Sequence, residues 1–282
     1  MHSRGNLMKI TPLLLALSLL PASAFAEQHC QFSKPQALDL DLAGAKAVVF
    51  EVNSHDLRLQ ASPGAKAAVA GRACASTQDL LSQLSVTQQK VGDKLVVTLK
   101  RENQGLNFNF SGNTYAYLDL TGSLPDNILV QLKVGSGDAS LSGAQSMSAD
   151  VGSGEVVARD ISGLATAAVG SGDIELHNVG SAYVLSIGSG DVKINGVRAD
   201  ARVGSIGSGD LELTAVQGNV RVESIGSGDV DVRDARGAVN LGSLGSGDFS
   251  VRGAASLKVD HVGSGSVNHT GVSGTVDLPK KR

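Results

Sequence analysis

Tryptophan is absent from the 282-residue chain, and only three tyrosines and six phenylalanines stand in its place. A deep aromatic-lined pocket therefore has little to be built from, and a core has to come from Val, Ile, Leu and Ala, which suits stacked, regular architectures. Cysteine is nearly as scarce: Cys30 and Cys74 are the only two, without the close spacing or helix start that a redox site requires. In an oxidising compartment they read as a disulfide stapling the N-terminal end. No excess of positive charge is present, with 24 basic against 27 acidic residues, which argues against nucleic acid as a partner. Long apolar runs are missing too. The stretch from Leu13 to Leu20 is too short to span a membrane and no second one follows.

What the first residues do contain is a basic start at Arg4 and Lys9, that apolar stretch, and the A-x-A ending Ala24-Phe25-Ala26. Residues 1–26 read as a secretory signal peptide, with the mature chain starting at Glu27 outside the cytoplasm. Cys30 lacks the small-residue context of a lipoprotein cleavage site. The periplasm is the expected residence, with the cell surface or the medium as alternatives.

Glycine is abundant, and it is periodic. Gly-Ser-Gly begins at Gly135, Gly152, Gly170, Gly188, Gly207, Gly226, Gly245 and Gly263, at intervals of 17 to 19 residues. Eight copies at that period indicate a solenoid. The residue before each copy is always apolar: Val134, Val151, Val169, Ile187, Ile206, Ile225, Leu244 and Val262. After each copy, as in Leu211-Glu212-Leu213, apolar and polar residues alternate, which is the period of a strand with one buried face. A further apolar column runs through Ala144, Ile161, Val179, Val197, Val216, Ala235, Ala254 and Val272.

Two short strands and a bend per coil predict an all-β fold, a single-stranded parallel β-helix with coils of 17–19 residues. Stepping by six from Ile187 meets Lys193, Ala199 and Ser205, so the left-handed hexapeptide pattern fails and a right-handed helix fits better. Glycines in the corners have two reasons to be there, positive φ and close backbone stacking. Residues 27–133 read as irregular N-terminal coils plus a hairpin, with Ser54-His55-Asp56 at the place of a later Ser-Gly-Asp. Residues 134–282 form the regular array, closed by a cap in which His269 breaks the apolar column and Pro279 and the basic C-terminus deter a further strand.

Serial Gly-Ser-Gly-Asp coils, preceded by "LDLTGSLPDNILVQLKVGSGDASLSG" and a signal peptide, resemble the bacterial family of putative adhesins over roughly residues 39–277. That resemblance implies an exported, non-catalytic β-helix of the cell envelope, and it carries no catalytic residues over to this chain.

Two groups of side chains are candidates for binding. Asp138, Asp173, Asp191, Asp210, Asp229 and Asp248 follow the corners and stack into an anionic ladder, about 4.8 Å between rungs. Such a ladder either contacts a cation such as Ca²⁺ or accepts hydrogen bonds from turn amides, beside a ladder of corner serine hydroxyls. The calcium-binding nonapeptide roll carries twice as many ligands per coil, which favours the second reading. Phe108, Phe110, Tyr115 and Tyr117 gather four of the nine aromatics within ten residues, either as a surface for a glycan or a protein or as packing on the solenoid's flank or end. The scattered histidines have no metal-ligand spacing, and no cofactor is implied.

The function expected from these features is a non-enzymatic envelope protein, adhesin-like, whose solenoid wall binds or scaffolds an envelope protein or glycan, with end-to-end self-association as a further possibility. Its alternatives are a polysaccharide-acting β-helix enzyme, against which the short, even loops argue, and a calcium-stabilised repeat module.

Overall fold

Period-two alternation becomes strand wherever it occurs. A computed structural model describes residues 30–102 and 114–280, and its solenoid lies within the compact unit Gln31–Arg282. In chain order, β1 (Phe32–Asp39) is followed by β2 (Ala47–Asn53) and β3 (Asp56–Ser62), then by β4 (Ala68–Ala75), a short helix α1 (Gln78–Ser82), β5 (Leu84–Val91), β6 (Lys94–Arg101) and β7 (Ala116–Pro125). The regular array follows as β8 (Leu129–Val134), β9 (Asp138–Ser142), β10 (Ser146–Val151), β11 (Glu155–Val169), β12 (Asp173–Ile187), β13 (Asp191–Val197), β14 (Ala201–Ile206), β15 (Leu211–Val216), β16 (Val220–Ile225), β17 (Val230–Ala235), β18 (Ala238–Leu244), β19 (Asp248–Ala254), β20 (Ser256–Val262), β21 (Ser266–Val272) and β22 (Val276–Asp277).

These strands stack in parallel into a β-solenoid of about eight turns with two ladders, or walls. Wall I runs β6, β2, β8, β10, the second halves of β11 and β12, then β14, β16, β18, β20 and β22. Wall II runs β7, β3, β9, the first halves of β11 and β12, then β13, β15, β17, β19 and β21. Between them lies the core. Val151, Val169, Ile187, Ile206, Ile225 and Leu244 stack in register and are buried, as the column before each corner requires.

Chain order and spatial order part company at the N-terminal end. The β2/β3 coil sits between the β6/β7 coil on one side and the β8/β9 coil on the other, so the chain reaches the regular array by passing over its own first coil. Antiparallel β5 covers β6 as the expected hairpin, and antiparallel β4 and β1 extend wall II beyond β7. One element had no counterpart in the sequence reading. Helix α1 is a single turn, too short for a 3.6-residue period to register, and it starts where the Thr77 hydroxyl accepts the Leu80 N–H at 3.2 Å and Leu81 is buried.

The two bends of each coil use glycine differently. At the Gly-Ser-Gly corner no glycine has positive φ, which corrects the conformational half of the sequence argument. Close approach is what excludes a Cβ there: one placed on Gly154, Gly190, Gly209, Gly228 or Gly247 would stand 1.9–2.0 Å from the carbonyl oxygen of the equivalent glycine one coil earlier. That approach is fixed by backbone hydrogen bonds, because the Gly188 carbonyl accepts both the Ser208 and Gly209 N–H groups, at 2.8 and 3.1 Å, and the pattern repeats from coil to coil. Positive φ belongs to the second bend. Gly143, Asp160, Asn178, Gly196, Ala215, Asp234, Gly253 and Gly271, each eight residues past the first corner glycine, all lie between +55° and +83°.

Candidate functional site

The Asp that leaves six of the eight corners is held at the start of a wall II strand, with its side chain on the outer surface; Glu155 and Ser266 take its place at the other two. From Asp173 onward the Asp carboxylate reaches forward by one coil. Asp173 Oδ1 accepts the Asp191 N–H at 3.3 Å, Asp191 that of Asp210 at 3.3 Å, Asp210 that of Asp229 at 2.9 Å, and Asp229 that of Asp248 at 2.8 Å. At the top of the ladder Asp248 accepts the Ser266 hydroxyl at 2.6 Å. The carboxylates of Asp173, Asp191, Asp210 and Asp229 thus each take a backbone donor from the following corner, so their charge is tied to the stacking of coils. The corner serines contribute through their backbone. Ser208 and Ser227 are exposed, and among the described residues no hydrogen bond joins one corner hydroxyl to the next.

Beside the ladder, wall II carries a shallow groove of about 260 Å³ lined by Asp191, Lys193, Asp210, Glu212, Asp231 and Arg233. Carboxylates outnumber cations along it, and part of the charge is paired. Arg233 bonds Glu212 and Asp231, each at 2.6 Å, and Arg252 bonds Asp231 at 3.0 Å. The hydrogen bond that Arg233 donates to Asp231 raises the guanidinium pKa above even its ordinary high value. A second recess of about 160 Å³ adjoins it, between Glu175, His177, Lys193 and Thr214. Among the described residues no three His, Cys, Asp or Glu side chains converge as a metal site.

The aromatic group divides. Phe108 and Phe110 lie outside the described residues. Tyr115 and Tyr117 are half-buried at the start of β7, their ring centroids 6.1 Å apart. Tyr115 is bound on several sides: its hydroxyl accepts the Gln31 N–H at 3.0 Å, its carbonyl the Ser76 N–H at 2.9 Å, and its own N–H is donated to the Ser76 hydroxyl at 3.2 Å. Tyr117 faces Cys74 across the β4/β7 ladder, and burial pushes its phenol pKa up. Cys74 is fully buried, and the chain's two cysteines, Cys30 and Cys74, form a disulfide.

His55 stands out in a way its sequence did not announce. It occupies the corner of the β2/β3 coil, where Asp56 is in register with Asp138, and it is 1% exposed, the one buried polar side chain among the described residues. Its Nδ1 accepts the Leu118 N–H at 3.3 Å, and burial, reinforced by Arg101, lowers its pKa to about 4. The only sequence signal was its substitution for the second corner glycine.

A family profile described as Toastrack DUF4097 matches residues 45–271. Among solved structures the chain is similar to a "putative adhesin" from Parabacteroides distasonis ATCC 8503, at 15% identity and a TM-score of 0.56, covering 85% of this chain and 97% of that one. It is likewise similar to a "putative lipid binding protein" from the same organism, at 18% identity and a TM-score of 0.54, covering 84% and 96%. At such identities the likeness concerns the fold. A search of curated proteins finds no match.

Proposed function

The chain belongs to the Toastrack DUF4097 family, and on that premise we propose that it is an exported, non-enzymatic protein of the cell envelope whose solenoid walls act as a binding or scaffolding surface. The observation that carries this reading is the arrangement of outward side chains. They stand in straight columns on two rigid ladders, and the recesses beside them are shallow, with Arg233 tied to Glu212 and Asp231. A periodic outer face of this kind suits an extended partner better than a small substrate that must be enclosed. Neighbours named for adhesion and for lipid binding agree with a binding role in kind. The N-terminal signal reading and the disulfide support export.

The test uses the chain from Glu27 onward, immobilised and exposed to solubilised envelope fractions and, separately, to a panel of envelope polysaccharides. Saturable capture of an envelope component, with no new reducing ends released, is the expected result. Turnover of any polysaccharide would replace this reading with the enzymatic one. Fractionation of producing cells addresses export: the mature N-terminus should be Glu27, in the periplasm, and an uncleaved chain in the cytoplasm would contradict it.

A further inference from the structure

Both walls stack two arginines on adjacent rungs, but those of wall II, Arg233 and Arg252, are ion-paired, and among the described residues those of wall I are not. Following the register outward-facing residue by residue gives Thr166, Tyr183, Arg202, Arg221, Asn240 and Lys258 in one straight column. Two guanidinium groups are therefore stacked on adjacent rungs, about 4.8 Å apart, an arrangement that is destabilising for like charges unless something compensates it. Both are exposed, and among the described residues neither Arg202 nor Arg221 makes an ion pair, although Arg221 is near enough to Asp260 to act on it; Asp260 is itself paired with Lys258 at 2.8 Å.

The surroundings of the arginines are chemically specific. Tyr183, 37% exposed, lies next in the column, and Leu185 and Leu164, each 44% exposed, lie on the same and the neighbouring rung. Three of the six large apolar side chains that are exposed among the described residues are thus gathered within two rungs. Beside the arginines runs a second column, Ser186, Ser205, Ser224 and Ser243, a hydroxyl on each rung. Between the columns stand Leu185, Gly204, Glu223, Gly242 and Asp260, so the Arg202 rung is open there, while the Arg221 and Lys258 rungs each carry a carboxylate.

We infer that this face of wall I binds an anionic glycan lying along the solenoid axis. The inference rests on the walls being a binding surface and names the partner's chemistry. A rung spacing of about 4.8 Å is close to the length of one pyranose residue in an extended chain. The stacked guanidinium groups receive carboxylate, sulfate or phosphate oxygens, in the fork geometry that suits arginine. Serine hydroxyls and the Asn240 amide meet sugar hydroxyls, and the Tyr183 ring offers an apolar face to a sugar ring. Wall II, where the aspartate ladder with Glu175, Glu212 and Asp231 outnumbers Lys193, Arg233 and Arg252 on the outer side, repels the same ligand and leaves wall I as the face it approaches. An anionic membrane surface would use the arginines and leucines but would leave the hydroxyl column without a partner.

The experiment measures binding of a polygalacturonate oligosaccharide to the chain from Glu27 onward by titration calorimetry at low salt, with neutral dextran oligosaccharide and phosphatidylglycerol-containing vesicles as comparators. Binding to the polygalacturonate, weakening with added salt and absent for dextran, is expected. The double variant Arg202→Ala and Arg221→Ala should weaken it by at least about tenfold, Arg202→Lys with Arg221→Lys by less, and Tyr183→Ala measurably. All these side chains are exposed, so circular dichroism and the melting midpoint should stay as in the wild type. Equal binding by the double alanine variant, equal binding of dextran, or binding of the vesicles in preference to the polygalacturonate would overturn the inference. No polygalacturonate binding, with envelope capture retained, would sink the glycan assignment and leave the binding-surface reading standing; loss of both would sink both.

Discussion

The carbonyl oxygen of Gly190 lies 2.0 Å from the place a Cβ on Gly209 would take, one coil above it. The oxygen belongs to backbone locked in the ladder, so it has no free direction in which to yield. Gly209→Ala is therefore expected to cost at least about 2 kcal/mol by overpacking, read as a melting midpoint lowered by roughly 5 °C. Ser208→Ala, one residue away and exposed, should stay within about 0.5 kcal/mol of the wild type. Equal effects at the two positions would show that the corner is held by something other than this approach.

Ala215 holds a left-handed conformation, φ +59°, where seven equivalent bends carry Gly, Asp or Asn. An alanine in that region bears a strain of about 1–2 kcal/mol from its Cβ. Ala215→Asn should relieve part of it and raise the melting midpoint by about 2 °C, without adding the unfolded-state freedom that glycine brings. Asn178 shows the side chain is accommodated at such a bend, where its amide donates to Asp160 at 2.6 Å. A lower midpoint for the variant would place the strain elsewhere.

The core columns could be read from the sequence because alternation repeats with every corner, and a side chain's face follows from parity alone. Left-handed bends were less visible. Gly143, Asp160 and Asn178 share a conformation and no chemistry, and the glycines attracted attention at the corner instead. Spatial order was not legible at all around β2 and β3, since the strands flanking them, β6 and β8, are separated in sequence by β7. Arg202 and Arg221 each stand five residues before their corner glycine, so aligning the corners places them in one column, but their lack of an ion pair depends on neighbours that only the folded wall brings together. His55 read as a degraded corner, and its burial depends on Leu118, which is 63 residues away.

The aspartate ladder makes a prediction about ions. Asp210 Oδ1 already accepts the Asp229 N–H at 2.9 Å, so its partner is the next corner. Asp210→Ala should cost about 1 kcal/mol for the lost hydrogen bond and Asp210→Asn, which keeps an acceptor, less. Adding calcium to about millimolar levels should leave the melting midpoint unchanged. A rise with calcium concentration would mean the native state binds the ion and would revive the calcium-stabilised repeat.

The disulfide of Cys30 and Cys74 closes a loop that contains β1 through most of β4. Its reduction should destabilise the chain by about 2–4 kcal/mol, with the loss concentrated in β1 and β4. Hydrogen exchange on reduced and oxidised protein checks this. Faster exchange confined to those strands is expected, and uniform loss of protection across the coils would mean that the N-terminal end governs the whole array.

His55 gives the fold a pH dependence of definite sign. An unfolded histidine takes up its proton near pH 6.5, while burial lowers the folded value to about 4. Between those values the unfolded chain binds more protons, so the contribution of neutral His55 is complete above about pH 6.5 and is lost as the pH falls toward 4. The full shift corresponds to roughly 3 kcal/mol. Asp56 works in the opposite direction, because burial, with Asp138 and Asp119 nearby, raises its carboxyl pKa and favours the fold as it protonates. Urea midpoints of the wild type and His55→Gln, measured from about pH 7 to about pH 4, separate the two, since the Asp56 contribution is common to both proteins. The wild type should lose stability relative to the variant across that window. Parallel curves would show that His55 is as readily protonated in the folded chain as in the unfolded one.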